Sequence, residues 1–267
     1  MSRPRPSPLP FDRRYGPWAV VTGAAAGIGR AFARDLDRRG LRVFAVDRDE
    51  EGLSRLQAEL PRCATLTLDL TRAAVADVLQ EALGSREVGL LVNNAGAAVT
   101  GPLLDHDPQA EAAVLHLNAR APLLLTRALA PAMVARGRGG LIFVSSTIAF
   151  NGGPWLANYA ATKAWNVAFA DALTVELGPA GLDVQCVAPG MTETESLARS
   201  MDMSRLRLKP LQPEQVAAAS LEALGTRSLV VPGAVNKAST LLSRRILPRR
   251  LRHALMQAAR PVVPEDG

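Results

Sequence analysis

The chain predicts a doubly wound α/β Rossmann fold: one domain, a mostly parallel seven-stranded sheet, and helices on both of its faces. Three observations carry that expectation. Short β-branched and leucine-rich runs alternate with longer alanine- and leucine-rich stretches. Near-continuous apolar strands joined by helices are those of a parallel sheet covered on both sides. The runs end in polar or glycine clusters: TGAAAGIG, DRDEE, DL, NNAG, SST and APGMTET. In an open parallel sheet these ends share one rim, where ligands bind. Lastly, 267 residues with 48% hydrophobic and 21% charged side chains suit one large domain with an ample core.

Taken in order, residues 1–15 are rich in proline and arginine and have no apolar stretch. They read as a flexible lead-in, neither signal peptide nor membrane span. The Rossmann-fold domain spans 16–240. Its strands are WAVVTG from Trp18, RVFAVD from Arg42, ATLTLD from Ala64, GLLVNN from Gly89, LIFVSS from Leu141, DVQCVAP from Asp183 and a weaker SLVVPG from Ser228. Helices are expected near 28–39, 50–60, 71–83, 105–136, 156–177 and 213–224, the last with Pro213 in its first turn. Cys63 and Cys186 lie far apart in apolar runs, so they fill the core of a protein from a reducing, cytoplasmic compartment.

The net charge is +6 and the isoelectric point near 10.1, yet the excess is local. Residues 241–260 hold six arginines and no acid, which leaves the rest of the chain balanced. No nucleic-acid motif or aromatic platform accompanies them, so nucleic acid is not an expected partner. The extension 241–267 instead reads as a basic amphipathic helix with Leu251, Leu255 and Ala258 on one face. It could lie on an anionic membrane surface, cover the substrate cleft, or pack with its arginines solvated.

The chemistry begins at VVTGAAAGIGRAF. Thr22, Gly23, Gly27, Ile28 and Gly29 occupy the bend between the first strand and a helix. Glycine lets the backbone approach a pyrophosphate, and the helix N-terminus favours an anion. The second strand ends in Asp47, a carboxylate able to accept from an adenosine ribose and to repel a 2′-phosphate, which favours NAD. Arg48 beside it could pair with that phosphate, so NADP stays open. Asp47 could instead cap the next helix, a job for which Asp49 is better placed. Asp69 and Leu70 close the third strand, flanking the adenine, and Asn94, Ala95 and Gly96 follow Asn93 at the end of the fourth. Asn118 sits within a long helix, where asparagine is a poor helix former. It serves either a water relay to Lys163 or as a satisfied structural amide.

NYAATKAW places Tyr159 and Lys163 four residues apart, on one helical face. The chain holds only three lysines, Lys163, Lys209 and Lys237, against many arginines. A lysine retained here implies a need for a compact, titratable ammonium. A phenol is a poor base at neutral pH, and a neighbouring cation favours its phenolate.

Together, Thr22-Gly23 with Gly27 and Gly29, Asp69, Asn93-Asn94-Ala95-Gly96, Asn118, Ser146, Tyr159, Lys163 and Pro189-Gly190 resemble the classical short-chain dehydrogenases/reductases. Ser146 is selected over Ser145 by the thirteen-residue interval to Tyr159 usual in that family. The resemblance implies an NAD(P)-dependent oxidoreductase interconverting a secondary alcohol and a ketone. It implies Tyr159 as acid/base activated by Lys163, Ser146 holding the substrate oxygen, Lys163 on the nicotinamide ribose, and Asn118 steadying a relay water. Pro189 and Gly190 would lie near the nicotinamide, with Thr192 or Thr194 on its carboxamide or phosphates.

The segment 191–212 should border a small-molecule carbonyl or alcohol substrate. Met191, Leu197, Met201, Met203, Leu206, Leu208 and the nearby Trp155 suggest a hydrophobic one. His106, His116 and His253 show no ligand spacing, so no metal is expected. Homodimers or homotetramers through the two long helices are expected from the family. The competing reading is a non-catalytic dinucleotide-binding regulator on the same fold.

Overall fold

The computed structural model describes residues 9–195, 209–245 and 250. Its centre is a seven-stranded, all-parallel sheet in the order β3-β2-β1-β4-β5-β6-β7. The strands are β1 Trp18–Thr22, β2 Arg42–Asp47, β3 Ala64–Thr67, β4 Val88–Asn93, β5 Gly139–Val144, β6 Leu182–Val187 and β7 Leu229–Val230. β4 and β5 are buried along their whole length, which is why their sequences run apolar without alternation. The order reverses between β1 and β4, the switch point beyond whose strand ends open parallel sheets bind ligands.

Alternate side chains of each strand feed two cores. One lies under α2 (Gly27–Arg38), α3 (Glu50–Glu59) and α8 (Pro213–Ala223), and includes Val21, Phe32, Leu36, Leu53 and Leu221. The other lies under α4 (Val75–Leu83), α6 (Ala121–Arg136) and α7 (Ala157–Leu177), with Val20, Leu79, Leu91, Met133 and Phe143. Full burial of each such side chain contributes roughly 1.5–3 kcal/mol. The two-sided cover fixes the sheet as a rigid floor for the rim.

Three features depart from the sequence expectation. Phe11–Tyr15 forms a short helix, α1, so the lead-in does not run to residue 15. Tyr15 is buried and its hydroxyl donates to Asp183 Oδ2 at 2.7 Å, while Arg14 Nε donates to the same oxygen at 3.0 Å. The reason is tertiary: α1 closes the sheet edge opposite the rim beside β4 and β5. Secondly, the helix expected over 105–136 starts at Pro108 and is widened inside. A 3-10 turn at Leu103–Asp105 precedes α5 (Pro108–Leu115), a widened π turn covers His116–Arg120, and α6 follows. Finally, the expected strand SLVVPG contributes only Leu229 and Val230 to the sheet. It is followed by α9 (Ala234–Arg245).

Asp49 caps α3 by accepting from Gly52 N at 3.0 Å, and Gln212 and Gln215 form a capping box ahead of Pro213 in α8. Most of the segment expected to border the substrate, and nearly all of the extension beyond Arg245, lies outside the described residues. The ends of the former are tied by a bridge between Thr192 and Leu211. No described helix is long and apolar enough to cross a membrane.

Candidate active site

The glycine loop between β1 and α2 is built for close approach. A methyl at Gly29 would stand 1.9 Å from the Gly23 carbonyl oxygen and 2.6 Å from Asn94 Nδ2. Only glycine fits there. Ala26, at the N-cap of α2, supplies no side-chain cap, and the first turn carries no acid. Its N–H groups and the positive end of the helix dipole therefore face the crevice without internal anionic competition. A dinucleotide pyrophosphate fits this cradle.

Asn94 and Ala95 stitch that loop to the end of β4. Asn94 Nδ2 donates to the carbonyls of Thr22 at 2.8 Å and Gly23 at 3.1 Å. Thr22 Oγ1 accepts from Asn94 N at 3.0 Å and Ala95 N at 3.1 Å. These residues hold the loop's shape. Asn93 is 4% exposed, and neither side-chain polar atom finds a partner among the described residues.

Asp47 has a bracing role beyond the one expected of it. One carboxylate oxygen accepts from Ala25 N at 3.0 Å in the glycine loop, and the other accepts from Arg48 N at 2.7 Å and Asp49 N at 3.1 Å. Arg48 itself is exposed. Asp69 accepts from Thr71 N and Thr71 Oγ1 at 2.9 and 2.8 Å, and these bonds hold its carboxyl below the usual range. Leu70 is buried in the core under α4.

Across the rim stand the hydroxyls and the ammonium. β5 ends in Ser145 and Ser146, and the structure separates them. Ser145 is buried with its Oγ donating to the Lys163 carbonyl at 2.7 Å, whereas Ser146 Oγ accepts from Ile148 N at 3.4 Å and eases the ionisation of Tyr159. Lys163 is 4% exposed, and its Nζ donates to the Val144 carbonyl at 2.9 Å. Its Nζ lies 5.6 Å from the centre of the Tyr159 ring. Burial lowers the ammonium from 10.5 to about 8. The phenol moves opposite to the sequence expectation: burial pushes Tyr159 up, and the Ser146 hydrogen bond offsets only part of this. Spacing alone placed the cation next to the phenol; the dry surroundings decide the direction.

Gly96 is the point where loop and helix meet. A methyl there would stand 3.0 Å from Lys163 Nζ and 3.3 Å from Asn118 Oδ1. Asn118 is 1% exposed in the π turn. Its Oδ1 accepts from Ala97 N at 2.9 Å, and its Nδ2 donates to Ala97 O at 2.8 Å and Thr162 Oγ1 at 3.0 Å. The side chain thus ties the loop after β4 to α7 through Ala97 and Thr162. Asn166 Nδ2 takes up the Asn118 carbonyl at 3.0 Å, a carbonyl displaced from regular helical bonding by the wider turn. Thr162 and Asn166 were not singled out from sequence, although two further polar residues in so apolar a helix were a visible signal.

Pro189 and Gly190 follow β6 beside Ser146: the Pro189 carbonyl accepts from Thr147 N at 2.9 Å. The two threonines also separate. Thr192 is buried, with Oγ1 donating to the Gly190 carbonyl at 3.1 Å. Thr194 sits against the glycine loop, its Cγ2 3.0 Å from where a Gly27 methyl would stand. Among the expected apolar walls, Met191 is 40% exposed, and Leu197, Met201, Met203, Leu206 and Leu208 lie outside the described residues. Trp155 has φ 60°, and its carbonyl accepts from Gly101 N at 2.9 Å. A bulky residue in that region carries of order 1–3 kcal/mol of strain held by its surroundings.

His106 does not stand alone: its Nδ1 lies 2.5 Å from Glu111 Oε1. Among the described residues no group of His, Cys, Asp and Glu could hold a metal ion.

A parallel sheet with a glycine cradle at its switch point and a Ser-Tyr-Lys set on the opposite wall defines a dinucleotide-dependent oxidoreductase class. The chain matches the family model for short chain dehydrogenases over residues 17–204. It belongs to that family, and relatives in it are named as NAD(P)-linked oxidoreductases acting on CH–OH groups. It is 33% identical over 230 residues to a very-long-chain 3-oxoacyl-CoA reductase-like protein of Arabidopsis thaliana, covering 82% of this chain and 74% of that one. It is 30% identical over 223 residues to the inactive hydroxysteroid dehydrogenase-like protein 1 of Homo sapiens, covering 80% and 67%.

Among solved structures, it superposes on one from work on 7β-hydroxysteroid dehydrogenase stereoselectivity with a TM-score of 0.85 at 25% identity, covering 93% and 100% of the two chains. A 3-ketoacyl-(acyl-carrier-protein) reductase of Brucella melitensis complexed with NADH gives 0.73 at 29%, over 81% and 96%. A short-chain dehydrogenase of Sphingobium yanoikuyae in complex with NADPH gives 0.75 at 29%, over 94% and 99%.

Proposed function

We propose that this protein interconverts a hydrophobic ketone and its secondary alcohol. The carrying observation is that the buried Lys163 ammonium stands 5.6 Å from the centre of the Tyr159 ring, with the Ser146 hydroxyl acting on the phenol from the end of β5. Bound in the cradle of Thr22, Gly23, Gly27, Ile28 and Gly29, the nicotinamide dinucleotide supplies the hydride chemistry.

The remaining roles belong to the chain. Ser146 donates to the substrate oxygen and holds it beside Tyr159. Because burial keeps the phenol protonated at neutral pH, Tyr159 is ready to give its proton to the oxygen of a carbonyl being reduced. Lys163, lowered to about 8, carries charge behind the phenol and stabilises the phenolate left after transfer. Asn118 acts at one remove, fixing Ala97 and Thr162 around Lys163. Gly96, Pro189, Gly190 and Thr194 line the nicotinamide side, while Thr192 supports the turn.

NAD is the favoured cofactor because the Asp47 carboxylate remains at the end of β2, where it repels a 2′-phosphate. The relatives' names, a very-long-chain 3-oxoacyl-CoA reductase-like protein among them, support a lipid-like substrate. A homo-oligomer is proposed as well, and light scattering giving the 28.3 kDa mass of one chain would refute it.

The test is NADH and NADPH fluorescence titration followed by turnover on a panel of ketones and alcohols, with Tyr159→Phe alongside. Cofactor binding with turnover that collapses in the variant is expected. Binding without turnover of any substrate would favour the regulator, the reading for which an inactive relative is the precedent.

A further inference from the structure

Three elements meet at Glu111, outside the Ser-Tyr-Lys set. Glu111 lies in the first turn of α5 and is 16% exposed at its side chain. His106, in the loop that follows β4, brings Nδ1 to 2.5 Å from Oε1, its own side chain 10% exposed. Asn158, the residue before Tyr159, donates through Nδ2 to Glu111 Oε2 at 2.5 Å and to the Glu111 carbonyl at 2.9 Å. A carboxylate only accepts, so the proton of this His–Glu contact resides on Nδ1. His106 Nε2 is buried without a partner among the described residues. It sits against Gly101, where a methyl would approach it to 2.8 Å, and Gly101 N in turn donates to the Trp155 carbonyl at 2.9 Å.

The same loop starts at Gly96 and Ala97, against Lys163 and Asn118. Both of its ends are therefore pinned to α7: one through Asn118 and Thr162, the other through Glu111 and Asn158. Two donors converging on one carboxylate form short charge-assisted bonds. The residue they hold is the immediate neighbour of Tyr159.

We propose that His106, Glu111 and Asn158 form a clamp that positions the Tyr159 end of α7 against the loop bordering the reacting oxygen. This inference rests on the reading of Tyr159 as the proton donor. The three are positioning residues: none is placed against substrate or cofactor, and their effect is on the placement of the phenol. An amide at position 111 would turn an NH₂ group toward one of the two donors and break the clamp. Asparagine at position 106 restores a donor near Nδ1, whereas alanine removes it.

The experiment compares wild type, Glu111→Gln, His106→Ala and His106→Asn in turnover and NADH binding. The Tyr159 phenolate is also titrated by absorbance; the chain has only two tyrosines, so each variant is read against its Tyr159→Phe counterpart. Glu111→Gln and His106→Ala should lose about tenfold to a hundredfold in kcat, as misplacement of a reacting group costs, with NADH affinity unchanged and His106→Asn largely rescued. A loosened first turn admits water to the phenol, so the Tyr159 midpoint should fall in the first two variants. Unchanged kcat, or His106→Asn as impaired as His106→Ala, would overturn the clamp. If the wild type turns over no carbonyl, the proposed function fails by itself. The titration then judges the clamp: an unmoved midpoint in His106→Ala overturns it, and a lowered midpoint regained in His106→Asn upholds it.

Discussion

Lys163 holds an ammonium at 4% exposure, and its replacement by methionine should make the protein more stable and inactive. Moving the ammonium from 10.5 to about 8 corresponds to about 3 kcal/mol, at about 1.4 kcal/mol per pH unit. Below pH 8 the group is charged in both folded and unfolded chains, and the full penalty of burying it is present. Between about 8 and 10.5 the folded protein gives up the proton while the unfolded chain keeps it, so this site's contribution to stability rises with pH. Lys163→Met removes the penalty and loses the bond to the Val144 carbonyl, which offsets roughly 1 kcal/mol.

The expected outcome is a variant more stable than wild type by roughly 2 kcal/mol at about pH 7, with the advantage gone by about pH 10. Urea denaturation of both proteins across this range is the assay. Only the difference between them is read, because Cys63, Cys186 and the tyrosines, all pushed up by burial, lower stability at high pH in both. Cys186 interacts with Lys163, so the comparison is repeated with Cys186→Ala in both chains. A difference independent of pH would refute the reasoning.

Ser146→Ala should lower kcat by roughly a hundredfold or more, as loss of one oxyanion donor does. Ser145→Ala should instead act on stability, by about 1–3 kcal/mol for the broken bond to the Lys163 carbonyl; melting curves and turnover distinguish the two. Gly29→Ala should abolish NADH binding in a fluorescence titration or prevent folding, since its methyl meets the Gly23 carbonyl at 1.9 Å. Phe143→Ala, at 0% exposure beneath α7, should cost about 3–5 kcal/mol in urea denaturation. Asp47→Asn should improve the ratio of NADPH to NADH affinity, while weakening both if bracing of Ala25 N matters to the loop.

The sequence by itself determined the alternation of strand and helix, the glycine bend and the placing of Tyr159 and Lys163 on one helical face, while Ser146 was chosen by resemblance to the family. These depend on local spacing: the period of apolar residues, the i,i+4 helical face, and a bend that only glycine can make. What the tertiary structure decided is of another kind. It made α1 part of the fold because Tyr15 finds Asp183, 168 positions away. It placed a π turn inside the long helix where Asn118 reaches Ala97 and Thr162. It brought His106 to Glu111, and Asn158 to the same carboxylate from 47 residues away, which no local pattern encodes. It also reversed the expected direction for Tyr159, because an ionisation depends on how much water the packed neighbours leave beside the phenol, and packing is a property of the folded whole.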